Sequence, residues 1–323
     1  MPADVAELLE QFRRDGDSLA LARALSVIES APSRTLEFGP GSSDRLVHRI
    51  GVTGPAGSGK STLIGRLIGA YRRTGRRVAV LAIDPSSPLT GGAVLGDRFR
   101  MEGALDDDVF VRSLATRRAP GAIAVATGSM LRAIESTGRF DVVLVETVGA
   151  GQADVAVAAL VDTVVLVTVP GLGDAVQAIK AGLLEVADIV VVNKGDRPGA
   201  LRTASQLRAM LVPTVARNMG DTRPRPKRPE VLVTTATTGE GLDELLDAIG
   251  RHRAAGDASA AARGNRAEVQ VRAVVLERVL ELLAAPGRSA ERDEVLAAVA
   301  GHRLDPYAAA DRLLATLIGS ERR

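Results

Sequence analysis

The 323-residue chain has no cysteine and no tryptophan, and only two tyrosines and five phenylalanines. Without cysteine there is no disulfide framework, no thiolate metal site and no thiol nucleophile. With aromatics at 2% and hydrophobic residues at 46%, the core must be ample but aliphatic, built from Ala, Val, Leu and Ile. Histidine is scarce too: His48, His252 and His302 lie far apart in the chain and are expected to be surface or packing residues. No apolar run reaches the roughly 18 residues of a membrane span, and charges occupy the N-terminal stretch where a signal's apolar segment would sit. A soluble cytoplasmic protein with no membrane partner is expected. The net charge is only +2, and the pI of 9.3 reflects arginine. A nucleic-acid surface needs a clustered basic face with aromatics. Only Arg223-Pro-Arg-Pro-Lys-Arg228 is locally basic, and it reads as a solvated loop, so no nucleic-acid partner is expected. Lysine occurs four times, at Lys60, Lys180, Lys194 and Lys227, and three of these fall in or near motifs described below.

What is present is organised around residues 48–63. A short apolar run, 50–53, breaks into Gly54-Pro-Ala-Gly-Ser-Gly-Lys-Ser61, after which Leu63, Ile64, Leu67 and Ile68 mark one face of a helix. That is G-x-x-x-x-G-K-S in a strand–loop–helix setting, the signature of a phosphate-binding loop. Glycines allow backbone angles and close approach that a Cβ would block. Successive N–H groups and the positive end of the helix then hold an anionic phosphate chain. Gly54, Pro55, Ala56, Gly57, Ser58, Gly59, Lys60, Ser61 and Thr62 are the candidate phosphate-binding residues. Lys60 reaches the β- and γ-phosphates, and the Ser61 hydroxyl is a ligand for Mg²⁺.

Around this loop the chain reads in three parts. Residues 1–45 hold two helical patterns, 4–14 and 17–30, with Asp17 as an N-cap, followed by a Pro/Gly/Ser-rich linker at 31–45. Residues 46–253 alternate apolar runs (50–53, 78–83, 109–113, 142–145, 164–169, 189–192 and 231–234) with helices near 60–74, 121–138, 174–185, 199–211 and 241–253. Continuous runs mean strands buried on both faces, hence an α/β fold: a mostly parallel sheet flanked by helices, with ligands at the carboxyl ends of its strands. An Ala/Gly-rich stretch, 254–265, marks a boundary. Residues 254–323 carry three further helices, 269–283, 292–299 and 306–318, the last capped by Asp305 with Pro306 at its first position. This piece has too little core to stand alone and should pack on the main domain or on a second copy.

Further motifs follow the predicted strands. Asn193-Lys-Gly-Asp196 has the N-K-x-D form that reads guanine: the Asp196 carboxylate accepts two N–H bonds from the base edge, while Asn193 and the Lys194 stem hold its other edge and face. Adenine presents the wrong donors, and such a site can reject it by roughly 10⁴–10⁵. After the last run, the turn holding Thr235, Ala236 and Thr237 could offer backbone N–H groups to the base oxygen. Glu146 ends a strand and Gly149 follows three residues on; in G proteins an acid here supports Mg²⁺ or positions water, and the glycine N–H senses the γ-phosphate. The usual acid is Asp. A long Gly/Pro/Ser-rich loop is bracketed by Asp84 and Asp97, which suits a Mg²⁺ neighbourhood and a nucleotide-dependent switch.

With these motifs in order the chain resembles the MeaB/ArgK-like GTPases, the G-protein chaperones of adenosylcobalamin-dependent methylmalonyl-CoA mutase. The resemblance spans nearly the whole length. It rests on Gly51 to Thr62, Asp84-Pro-Ser-Ser-Pro-Leu-Thr-Gly-Gly-Ala-Val-Leu-Gly-Asp97, Glu146-Thr-Val-Gly-Ala-Gly-Gln152, Gly171 to Gly182, Asn193 to Asp196 and Asp305 to Ala310. It implies a P-loop NTPase fold, GTP/GDP and Mg²⁺ as cofactors, and slow GTP hydrolysis stimulated by the mutase. Ser61, Asp84, Asp97 and Glu146 then resemble the Mg²⁺ shell, and Lys60, Asp97, Glu146 and Lys180 the catalytic set, with Lys180 in a switch that the partner acts on. The C-terminal helices resemble the family's homodimer element. Gly195 stands where the family usually has Ala, and Thr235 where it usually has Ser. Three rival readings stay open: an ATP-driven transport-associated ATPase or kinase, a nickel-delivery GTPase, and a non-hydrolysing scaffold.

Overall fold

Seven runs rich in β-branched residues become the seven strands of one sheet in the computed structural model, which describes residues 4–30, 47–84, 108–115, 120–147, 158–171, 183–214, 229–256, 260–285 and 289–319. In chain order they are β1 (His48–Thr53), β2 (Val78–Asp84), β3 (Val109–Ala115), β4 (Val142–Glu146), β5 (Thr163–Thr168), β6 (Ile189–Val192) and β7 (Glu230–Val233). Every pairing is parallel, in the order β3-β2-β4-β1-β5-β6-β7. The strand that feeds the glycine loop is thus the central one. Parallel neighbours require crossovers. Those within the described residues include α3 (Lys60–Arg73), α4 (Pro120–Ser136), α5 (Leu183–Val186) and α6 (Ala200–Thr214), and α7 (Leu242–Gly256) follows β7. This is the parallel, two-faced sheet that the alternating runs predict and the P-loop NTPase architecture that the family resemblance implies. No helix among the described residues is long and apolar enough to cross a membrane.

Two-faced burial shows in how successive strand residues divide between cores. In β4, Val143 and Val145 face one core while Val142 and Leu144 face the other. In β6, Val190 and Val192 pack with α6, whereas Ile189 and Val191 pack with α3 and α7. The period of two in a strand with both faces covered explains why these runs are continuous in sequence rather than alternating.

The two N-terminal helices, α1 (Val5–Asp15) and α2 (Ser18–Ser30), join the first of these cores. Asp4 caps α1 through the Ala6 N–H, Gly16 ends it, and Asp17 accepts the Leu19 N–H at 2.9 Å to open α2, as its sequence position predicts. Leu21, Leu25 and Ile28 are fully buried beside α4 residues Met130, Leu131 and Ile134. Three of the five phenylalanines meet at this seam. The Phe12 and Phe140 rings stack with centroids 5.8 Å apart, Phe110 lies 6.3 Å from Phe140, and the Arg139 guanidinium covers Phe12. Arg139 Nε donates to Arg13 O and Arg13 Nη2 to Ser136 O, which ties α1 to the end of α4.

At the opposite edge of the sheet from the glycine loop, where the strands begin, His48, Thr163 and His252 form a buried chain. The Thr163 hydroxyl lies 2.9 Å from both His48 Nε2 and His252 Nδ1. Asp188 Oδ1 is 3.4 Å from His252 Nε2, while Asp188 Oδ2 accepts the Val164 N–H at 2.8 Å. A hydroxyl has one proton to give. It donates to one ring and accepts from the other; because it meets Nε2 of His48 and Nδ1 of His252, two neutral imidazoles then carry the same tautomer. Both of these histidines are buried; His302 is exposed, with a left-handed backbone at φ 53°.

The structure divides into two compact units, residues 1–270 and 271–323. A long helix, α8 (Ala260–Ala284), starts nine residues earlier than the apolar spacing predicts. Half of the 254–265 stretch that reads as a boundary is alanine, the strongest helix former, and the glycine of that stretch that falls within α8, Gly264, costs only about 1 kcal/mol. In the second unit α9 (Ser289–Ala300) packs on α10 (Pro306–Gly319), burying Val295 and Ala309. Asp305 caps α10, accepting the Tyr307 and Ala308 N–H groups, as expected. Val271, Val275, Leu280, Leu282, Leu296 and Tyr307 remain exposed there.

Replacing Thr163 with Val keeps the shape and removes the shared hydroxyl, leaving ring nitrogens without it in an apolar setting. The expected loss is about 2–4 kcal/mol, a fall in Tm of roughly 5–15 °C by circular dichroism. An unchanged Tm would show that the chain of polar atoms adds nothing to stability.

Candidate functional site

A parallel sheet brings the carboxyl ends of all its strands to one edge, and the predicted motifs meet there. The β1 backbone leaves Thr53 and turns at Gly54, whose φ of 142° and contact with the Val167 carbonyl of β5 exclude any side chain. The loop closes with Ser58 N–H on Pro55 O at 3.2 Å, and Gly59, at φ 91°, forms the N-cap of α3. A Cβ on Gly59 would overlap Asn193 Nδ2. The Lys60 ammonium is buried and folds back over the loop, donating to Gly54 O at 2.8 Å and Pro55 O at 3.2 Å. Its donors therefore point at the space the loop encloses, beside the N–H groups at the start of α3.

Glu146 ends β4 in register with Val52, and its Oε1 accepts the Ser61 hydroxyl at 2.7 Å. Both residues are buried, at 4% and 7% exposed, although one is a carboxylate at a sheet edge. This pair was expected from the motifs, and the structure brings it together. Two groups that sequence reading passed over lie beside it. The hydroxyls of Thr53 and Thr147, like that of Ser58, are buried with no hydrogen-bond partner among the described residues. An unsatisfied buried hydroxyl costs about 1–3 kcal/mol. Ser58 stands in the loop, Thr53 ends β1 and Thr147 follows β4, so all three stand at this end of the sheet. Their signal in sequence is only their position immediately beside or within the motifs.

The β6 turn is joined to the loop by the Asn193 side chain, itself 2% exposed. Asn193 Nδ2 donates to Ser58 O at 2.8 Å, while its Oδ1 accepts the Ala236 N–H at 3.0 Å and the Thr234 hydroxyl at 3.2 Å. Lys194 adopts a left-handed backbone at φ 59° and donates through Nζ to Gly57 O at 2.7 Å. Asp196 stands exposed at the end of the turn. Gly195 N–H donates to Thr234 O at 2.9 Å, which locks this turn to the one after β7. In that second turn Thr235 N–H goes to Glu240 O at 2.9 Å, and the Thr235 hydroxyl is also directed at Glu240. The Arg66 side chain of α3 holds the turn from the other side, through Ala236 O at 2.9 Å and Thr237 O.

The remaining predicted residues lie outside what the structure describes. Asp84 ends β2, but its side chain lies outside the described residues, as do Asp97, Gly149 and Lys180, most of the 84–98 loop and the basic segment 223–228.

Chemically the edge has three parts: backbone donors and an ammonium able to hold phosphates, two buried hard oxygens, and a pair of interlocked turns with an exposed carboxylate. On this central-strand loop they define a P-loop nucleotide-binding protein. A family model described as "Methylmalonyl Co-A mutase-associated GTPase MeaB" matches residues 21–287, and the chain belongs to that family. Among the proteins it is similar to, a Pyrococcus abyssi relative whose name carries a GTPase assignment is 41% identical, with 98% of this chain and 97% of the relative covered. GTPase ArgK of Escherichia coli (strain K12) is 35% identical over 76% of this chain and 75% of its own. A solved structure titled "Crystal structure of LAO/AO transport system kinase" superposes with a TM-score of 0.68 at 28% identity, covering 98% of both chains. The protein is accordingly a GTPase that binds guanine nucleotide.

Because Gly59 faces Asn193, Gly59→Ala forces the loop away from the β6 turn. It should weaken binding of a fluorescent GDP at least about 100-fold while the far-ultraviolet circular dichroism of the chain stays native. Binding like that of the parent would show that the loop tolerates the side chain.

Proposed function

We propose that the protein is a Mg²⁺-dependent GTPase that gates cofactor loading onto an adenosylcobalamin-dependent methylmalonyl-CoA mutase and protects or reactivates that enzyme. The observation that carries the GTPase half is the Ser61–Glu146 pair at the mouth of a glycine loop, tied through Asn193 to the two base-side turns. The family description supports the mutase half. Gly54 to Thr62 cradle the phosphates, and Gly149 adds its N–H near the terminal one. Asn193, Lys194 and Asp196, with the turn at Thr235, Ala236 and Thr237, hold guanine. Residues 46–253 form the GTPase domain in this reading, and 254–323 a dimerising extension.

The donor chemistry fits the metal. Ser61 and Glu146 offer hard oxygens, which suit Mg²⁺ rather than a soft cation, and both are buried within hydrogen-bond distance of each other. They would hold the ion with Asp84 and Asp97. When bound, Mg²⁺ neutralises charge on the β- and γ-phosphates. The chain's own residues do the rest. Lys60 exchanges two loop carbonyls for phosphate oxygens, and the loop amides fix the phosphate chain. Asn193 keeps the base-side turns in register with the loop while the phosphates react. Lys180 completes the catalytic set when the partner orders its segment.

Purified chain should hydrolyse GTP slowly, near roughly 10⁻⁴–10⁻² s⁻¹. The rate should rise on addition of an adenosylcobalamin-dependent methylmalonyl-CoA mutase, and Lys180→Ala should remove the rise. No stimulation by any such mutase, measured as released phosphate, would remove the chaperone role and leave a bare GTPase.

Dimerisation is proposed through the second unit. On α8, Val271, Val274, Val275 and Leu282 fall within one helical stripe and are all exposed. Contiguous apolar stripes of this kind mark association surfaces. Sedimentation should show a dimer, and the double change Val275→Glu with Leu282→Glu should give a folded monomer. A wild-type monomer at tens of micromolar would refute the assignment.

A further inference from the structure

We propose that Arg66 is a positioning residue for guanine recognition: from the phosphate-binding helix it sets the peptide planes of the base-side turn. The inference rests on reading residues 235–237 as the turn that meets the base.

Arg66 lies six residues beyond Lys60 on α3, outside the buried stripe of Leu63, Ile64, Leu67 and Ile68. Its Nε donates to Ala236 O at 2.9 Å and its Nη2 donates to Thr237 O. These two donors lie on one edge of a rigid planar fork, so they fix two successive carbonyls at once, which a lysine ammonium on a flexible stem does not. A trans peptide places each carbonyl opposite the next residue's N–H. Holding Ala236 O and Thr237 O toward α3 therefore turns the N–H groups of Thr237 and Thr238 to the far side.

The hydrogen bonds of the turn then sort its donors. Thr235 N–H is taken by Glu240 O, Ala236 N–H by Asn193 Oδ1 and Thr238 N–H by Thr235 O. Among the described residues, the Thr237 N–H alone in 235–238 has no acceptor, and it belongs to the first peptide that Arg66 orients. The three amides the sequence offers to the base thus differ: two are engaged in holding the turn, and the third is aimed by an arginine. This contact also joins the two ends of the site. The N-terminus of α3 meets phosphate, and six residues on the same rigid helix grips the turn that reads the base. Arg66 is exposed, so its bonds stay in water's reach and the effect is modest.

The test uses the full chain and titrates GDP and ADP against Arg66→Met, which keeps the apolar stem, and Arg66→Lys, which keeps one donor. Arg66→Met should raise the Kd for GDP about tenfold, with the Kd for ADP moving less than about twofold, so the GDP-to-ADP preference falls by most of that factor. Arg66→Lys should recover part of the loss. In turnover, KM for GTP should rise more than kcat falls. Parallel weakening of GDP and ADP, an unchanged Kd for GDP, or no recovery with Lys would overturn the role. A separate arm, Asp196→Asn with XDP in place of GDP, tests the underlying reading. If that variant does not gain xanthine binding, the base-side assignment fails, and the Arg66 role with it. If it does gain it while Arg66→Met binds GDP like the parent, only the Arg66 role falls.

Discussion

The side-chain amide of Asn193 is the contact on which the site depends. One of its ends holds a carbonyl of the glycine loop, and the other holds an amide and a hydroxyl of the turn after β7. Because it is buried, each of these bonds is made in a low-dielectric setting, where losing a partner costs more than the bond itself contributes. The glycine at 59 exists for the same contact, since nothing larger leaves room for the amide. Phosphate side and base side are therefore one assembly. Its geometry is set by the residue that opens the β6 turn and reaches both the glycine loop and the turn after β7.

Beneath this edge lies a core of unusual uniformity. Valine, isoleucine and leucine on both faces of the sheet interdigitate with the helices, and three aromatic rings, Phe12, Phe110 and Phe140, meet where α1 reaches α4 and the sheet. An aliphatic core of this kind has little polar hardware to spare. Many of the polar groups it does bury fall at the two edges of the sheet: a linked chain of two histidines, a threonine and an aspartate where the strands begin, and hydroxyls without a protein partner among the described residues where β1 and β4 end.

Much of this was legible in sequence, for identifiable reasons. Strands 78–83 and 189–192 announce themselves because burial on two faces demands unbroken apolar residues, and the glycine loop because a phosphate cradle restricts so many consecutive positions. Glu146 and Asn193 are legible because each stands at the carboxyl end of an apolar run, Glu146 three residues before a glycine and Asn193 at the head of an N-K-x-D motif. The start of α8 was read nine residues late, since a helix rich in alanine with few large apolar residues shows no 3.6-residue stripe to detect. The His48–Thr163–His252 chain was not legible at all: its members are separated by 115 and 89 residues, and isolated histidines carry no periodic signal. Arg66 was hidden differently. On a surface helix an arginine is the expected solvent-facing residue, and only the fold reveals that a turn 170 residues later lies under its fork.

The place of β1 at the centre of the sheet has one more consequence. Three strands stand on each side of it, with Glu146 in the left-hand group and Asn193 in the right-hand one. The two sides share no ladder except through β1 itself. Any strain beside the acid therefore has a single route to the other flank: the middle strand, its loop and the helix that follows, which carries Ser61 on one side and Arg66 on the other.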